Sequence, residues 1–277
     1  MPLTAVGHVR KMRGGAQSHL LEADDGQWYV VKFLNNPQHR RILVNELLAG
    51  AFLDYLKIAS PPTAAVEVSA GFLEAHPDLH LTLGTRPVGI EPGWHFGSRY
   101  PGDPNRVAVY DFLPDALLGG VANLEDFRAV LVFDKWACNS DGRQSIFYRA
   151  MVRDQATPRG QPPSRAAFVA QMIDHGFAFN GPNWDFPDGP LCGLYPRRQV
   201  YDSVRSLQDF EPWLELVTNF PEEVIDHAWK RIPPAWVESE EDAVMAVLER
   251  LFERRKRVPE LIAACRGARP SPFPNWT

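Results

Sequence analysis

Residues 131–149, LVFDKWACNSDGRQSIFYR, begin as an apolar run of helical character and end as an apolar strand. Between the two sit Asn139, Asp141, Arg143 and Gln144. A polar cluster between two such elements is either a turn or a site. The chain that follows bears on the choice. SIFYRAMV (145–152) reads as one strand, and AAFVAQMIDHGFAF (166–179) contains a second that runs up to Asp174. The turn or long hairpin loop DQATPRGQPPSR (154–165) joins them. Asp141 precedes the first strand and Asp174 follows the second, so antiparallel pairing brings both acids to one end. Two carboxylates with Gln144 and Asn139 beside them make an oxygen-rich site suited to Mg²⁺. If each Asp merely closed a turn, both strands would have to end at acids on the same side by chance.

Upstream, SHLLEADDGQWYVVKFL (18–34) holds two apolar runs joined by Asp24-Asp25-Gly26, a hairpin signal. HRRILVNELLAGAFLDYL (39–56) carries Ile42, Leu43, Leu47, Leu48, Phe52 and Leu56 at helical spacing, and Pro61-Pro62 stops it. TAAVEVS (63–69) reads as a strand, and the Gly- and Pro-rich residues 70–107 as loop and short strands. Asn123 is placed to cap the helix ahead of Asp141, with Asp126 three residues on. From about residue 200 to Ala268 the pattern is helical, and 269–277 read as a tail. The whole reads as α+β and bilobed with a cleft between lobes: 1–100 a β-rich lobe, 101–268 a mostly helical lobe with a central hairpin.

Bulk properties narrow the function classes. The 277 residues are 45% hydrophobic and 23% charged, ordinary for a globular protein. A net charge of −5 makes a broad nucleic-acid surface an unsuitable default. Three well-separated cysteines without a CxxC pair argue against a disulfide framework. With MPLTAVGHVRKMRGG at the start and no apolar run of membrane-spanning length, the expected compartment is the cytoplasm, with no membrane partner.

Three features of the first lobe bear on chemistry. RGGAQSHLL (13–21) places Gly14, Gly15, Ala16, Gln17 and Ser18 between strand-like runs. Taken alone it reads first as a hairpin turn; its successive backbone N–H groups also suit phosphate oxygens. Lys32 ends the run WYVVK, as an outward-facing lysine or as a point charge for phosphates. Glu46 lies between apolar neighbours on the first helix, either on a polar face or turned to orient Lys32.

Strand, glycine turn, strand with Lys, helix with Glu, then Asp–hairpin–Asp is the order of parts in protein-kinase-like folds. The chain resembles the HipA-like kinases, bacterial relatives of the serine/threonine kinases, and in particular their short variants. GGAQSHLL, YVVKF with NELLAG, DKWACNSDGRQSIFYR and MIDHGFAF carry the resemblance, over residues from about 10 to 180. It implies a turn from Gly14 to Gln17, with Ser18 beside it, over the phosphates of ATP. It implies Lys32 on those phosphates and paired with Glu46, Asp141 as catalytic aspartate, and Asp174 as ligand of Mg²⁺. It further implies a protein Ser/Thr hydroxyl or the chain itself as acceptor, and a toxin role with a cognate antitoxin-like partner.

The sequence also departs from the pattern. Kinases carry a metal-binding asparagine five residues after the catalytic Asp; that position here is Ile146, and Gln144 is the nearest side-chain oxygen. The serine that larger HipA-like toxins phosphorylate on themselves is replaced by Met12. A nucleotide-binding pseudokinase and a small-molecule kinase on the same scaffold are the rival readings. His76, Asp78 and His80 around Pro77 read as surface loop, and ERRKR (253–257) as a solvated helix face. Trp94, His95 and Phe96 read as core or as neighbours of an adenine pocket, and His175 as lining the cleft or as structural.

Overall fold

The computed structural model describes residues 3–152 and 165–277; the 154–165 connection, except its last residue Arg165, lies outside the described residues. The first lobe is a closed five-stranded barrel, order β1 (Leu3–Lys11), β2 (His19–Ala23), β3 (Trp28–Lys32), β7 (Gly93–Arg99), β4 (Thr63–Val68). Parallel pairing of Leu3 with Val66 and Thr4 with Glu67 closes it. The β2–β3 hairpin turns at Asp24-Asp25-Gly26 as expected, and Tyr29 Oη donates to Asp25 across it at 2.8 Å. Val31, Phe33, Val66 and Val68 fill the barrel. Helix α1 (Arg41–Tyr55) lies between β3 and β4 in sequence. Helix α2 (Ala70–Ala75), capped by Ser69, and a β5 (His80–Leu83)–β6 (Arg86–Gly89) hairpin occupy the stretch expected to be loop and strand.

The second lobe opens with β8 (Val109–Tyr110), α3 (Asp115–Leu118) and α4 (Asp126–Trp136). The hairpin β9 (Gln144–Val152)–β10 (Arg165–Ile173) follows, in a sheet of order β10-β9-β8. Helices α5 (Trp213–Thr218), α6 (Glu222–Trp229), α7 (Pro234–Val237), α8 (Glu241–Arg254) and α9 (Val258–Arg266) complete it. No helix among the described residues is long and apolar enough to cross a membrane.

Helix α1 is apolar all round, and eleven of its fifteen residues are buried. A helix of that composition needs cover on every side. It obtains it from β4 and β7 of its own lobe and from α6 and α7 of the other. Leu43, Leu47, Phe52 and Leu53 share one apolar cluster with Phe127, Leu131 and Trp136 of α4. The two lobes are therefore joined by a common core.

Several expectations are corrected. Asn123 does not cap α4; it binds the backbone of Ala170 in β10 as donor and acceptor, both at 2.9 Å, and so acts as a short piece of extra strand. The tail is docked: Phe273 is buried against Tyr201 and Phe210. ERRKR is a solvated face at Glu253, Lys256 and Arg257 but not at Arg254. Arg254 is buried, donates to the carbonyls of Lys135 and Trp136, and pairs with Asp188. His95 and Phe96 are buried core; Trp94 offers its carbonyl to Trp236 of the second lobe at 2.8 Å. Asp78 pairs with His8 at 3.1 Å.

Candidate active site

Lys32 is the last residue of β3, at the mouth of the barrel, and its ammonium is buried. It donates to Glu46 on α1 and, at 2.8 Å, to Asp174 just beyond β10. Three residues far apart in sequence thus meet at one cation. Close approach of the 174–176 segment to α1 requires a glycine, because a Cβ on Gly176 would lie 2.5 Å from Ile42 Cγ2. Asp174 has a left-handed backbone (φ 58°), uncommon for a residue with a side chain and frequent at functional sites.

The electrostatics of the three groups differ. Burial by itself would lower the Lys32 pKa, but Glu46 and Asp174 outweigh it and hold the ammonium charged. Burial raises the Glu46 carboxyl above its ordinary range against the pull of Lys32. Asp174 is about one-third exposed at its side chain; burial would raise its pKa, yet Lys32 dominates and keeps the carboxylate ionised. The charged acid therefore faces the cleft.

Asp141 is exposed, and its backbone is clamped on both sides. Its N–H donates to Asn139 Oδ1 at 3.2 Å and its carbonyl accepts from Gly193 at 3.1 Å. Asp141 makes no direct contact with the Lys32 group. Its connection runs through buried side chains that sequence reading missed or misassigned. Asn139 is buried; its Nδ2 donates to Asp134 at 3.0 Å and its Oδ1 is taken up by the Asp141 N–H. Asp134 is buried within α4 and pairs with the equally buried Arg143. The sequence signal for it is an acid inside the apolar run AVLVFDKWA, which only a buried cation can neutralise. Gly193 (φ 74°) packs against Asp134 so closely that a Cβ would overlap it. Lys135, also buried, donates to the carbonyls of Gly189, Pro190 and Cys192 and so fixes the segment that clamps Asp141.

Strand register bears on the departure at Ile146. Gln144 pairs with Ile173, the residue before Asp174, whereas Ile146 pairs with Gln171. At strand rise, Gln171 is about 10 Å from Asp174 along β10. Gln144 is exposed and stands across the hairpin from Ile173, the neighbour of Asp174 in sequence. Among the described residues no three or more His, Cys, Asp or Glu gather as a metal cage. One ionised carboxylate, Asp174, could hold a divalent cation that takes its other ligands from phosphates and water.

The glycine turn is built differently from expectation. Gly14 has φ 118°, and Gly14 and Gly15 are exposed. The Gln17 amide is engaged by Thr82, donating to its carbonyl at 2.6 Å and accepting from its N–H at 2.7 Å. Ala16 and Ser18 are buried. What the turn leaves open is the Gly14–Gly15 backbone; the Gln17 side chain is engaged and Ser18 is buried. His175 is buried and accepts from Arg143, a structural placement.

The sequence profile of the HipA-like kinases matches residues 7–149, just over half of the chain. The match includes the glycine turn, Lys32, Glu46, Asp141 and Gln144 and ends before Asp174. No curated protein sequence matches. Two solved structures are similar. One is a Golgi casein kinase with Mn/ADP bound, 13% identical, with a TM-score of 0.50 over 95% of this chain and 72% of that one. The other is a Golgi casein kinase at 14% identity, TM-score 0.53, over 96% and 73%. At that identity they show the fold, which is protein-kinase-like.

Proposed function

The chain belongs to the HipA-like kinase family, and on that premise we propose that it transfers the γ-phosphoryl group of ATP, with Mg²⁺, to a Ser or Thr hydroxyl of a protein. The observation that carries the proposal is the Lys32 ammonium shared between Glu46 and Asp174. Such an arrangement offers a fixed positive charge to phosphates and an ionised oxygen to a divalent cation. The bound nucleotide and its cation supply the phosphoryl group and neutralise the charge of a loose transition state. Lys32 binds phosphate oxygens, and Glu46 keeps it directed into the cleft. Asp174 and Gln144 hold the cation side. Asp141 orients the acceptor hydroxyl and takes its proton. Because Asp141 is exposed, a hydroxyl on another chain can reach it. The Mn/ADP bound by the similar Golgi casein kinase supports the pairing of nucleotide with divalent cation. The register of Gln144 favours an active enzyme over a pseudokinase.

The test compares wild type with Asp141→Ala and Asp174→Ala, using labelled ATP, Mg²⁺ and a lysate as acceptor. Wild type is expected to label protein, and each variant to lose that activity. Equal labelling by all three ends the enzyme reading. If ATP then still raises the melting temperature, the protein is a nucleotide-binding module.

A further inference from the structure

We propose that Arg143 is the positioning residue that holds Asp141 and Asp174 in one register; the inference rests on the kinase reading. Its guanidinium is fully buried. Nε donates to Asp134 Oδ2 at 2.8 Å, and Nη2 donates to Asp134 Oδ1. Nη1 donates to the carbonyl of Ile173 and to His175 Nδ1, both at 2.9 Å. Ile173 and His175 are the neighbours of Asp174 on either side. One arm of the fork therefore grips both flanks of Asp174. The other arm reaches Asp141 through Asp134 and Asn139, whose Oδ1 accepts the Asp141 N–H. A continuous chain of hydrogen bonds runs from Asp141 to the segment that carries Asp174.

Two arguments favour positioning over plain stability. Replacing a buried ion pair by well-packed apolar residues of the same volume is often neutral or stabilising, so stability alone is weak grounds for this one. Second, arginine only donates, so His175 Nδ1 must accept, and the ring is neutral with its proton on Nε2. The left-handed backbone at Asp174 is pinned by these bonds on both sides.

The test compares His175→Asn, which keeps an acceptor where Nδ1 lies, with His175→Leu, which removes it. Two quantities are read: phosphotransfer kcat, and Mn²⁺ affinity with ADP present, by paramagnetic resonance of free Mn²⁺. His175→Leu is expected to lower kcat about 10- to 100-fold and to weaken Mn²⁺ binding about 10-fold. Nucleotide KM should stay within about threefold, and His175→Asn should return kcat and Mn²⁺ affinity to within about threefold of wild type. A packing role predicts the reverse order, because leucine suits the contact with Phe133 and asparagine does not. Leucine equal to or better than asparagine in both readouts overturns the proposal. Arg143→Lys, which keeps a cation on Asp134 without the fork, should match His175→Leu. A folded Arg143→Lys within about threefold of wild type in both readouts also overturns it. If wild type binds Mn²⁺ with nucleotide but transfers nothing, the kinase reading fails and the order of Mn²⁺ affinities decides this one. If it binds no Mn²⁺ with nucleotide, both are overturned.

Discussion

Asn45, next to Glu46 on α1, carries a stability prediction that the geometry sizes. It is fully buried. Its Nδ2 donates to the carbonyls of Gly176 at 2.7 Å and of Ala178 and Gly181 at 3.0 Å; its Oδ1 accepts from Trp184 Nε1 at 2.8 Å. Asn45→Ala removes two N–H donors, shared among the three carbonyls, and one acceptor, and leaves a buried indole N–H unpaired. At about 1 kcal/mol net per bond, and more for an orphaned donor, the cost is about 4 kcal/mol. A stability of about 5–15 kcal/mol leaves this variant folded but visibly weakened. Trp184→Phe removes the indole donor together with part of the buried ring under Arg41, and should cost about 2 kcal/mol. The double variant should cost about 1 kcal/mol less than the sum, because the truncation has already broken the shared bond. Urea unfolding measures all three, with the slope checked for constancy. A cost below about 1.5 kcal/mol for Asn45→Ala, or strict additivity in the double variant, would refute the claim that this amide ties α1 to the Asp174 segment.

Other outcomes follow from features already described. Gly193→Ala combines a positive φ with overlap on Asp134 and should cost about 2 kcal/mol or more, a fall in Tm of about 5 °C; an unchanged Tm contradicts this. Within ERRKR, Arg254→Ala should cost about 2 kcal/mol by leaving the carbonyls of Lys135 and Trp136 without their donor, Asp188 keeping its pairing with Arg257, while exposed Lys256→Ala stays within about 0.5. Chemical denaturation separates the two, and similar costs would return the stretch to a solvated face. Burial lowers the His95 pKa from 6.5 to about 4. The unfolded chain therefore takes up this proton first. The contribution of His95 is present above pH 6.5 and lost as pH falls towards 4, by up to about 3 kcal/mol at about 1.4 kcal/mol per pH unit. His95→Asn, which keeps an acceptor for Leu34 N–H, should flatten the pH dependence of the urea midpoint by that amount. An identical profile for variant and wild type counts against a buried neutral imidazole.

The local signals that proved readable were those a short window contains. The Asp-Gly turn, the helical spacing from Ile42 to Leu56 and the two strands ending at Asp141 and Asp174 are each set by neighbouring residues. The hairpin register brings those ends together. The roles inside the polar cluster were not readable, because they depend on partners elsewhere. Arg143 and Gln144 are adjacent, yet one is buried on Asp134 of α4 and the other is exposed. Arg254 is hidden by Asp188, 66 residues away. Which residue of β9 stands opposite the Asp174 end of β10 is set by pairing across the hairpin, which counting along the chain does not give.

The shared core around α1 has a consequence for chemical inhibition. A compound that needs this helix swung outward, to open a back pocket behind Lys32, would have to tear Leu47 and Phe52 out of packing that spans both lobes. Selective blockers should instead be sought at the rim, where Gly15 and Asp141 are open to solvent and where lobe separation is not required.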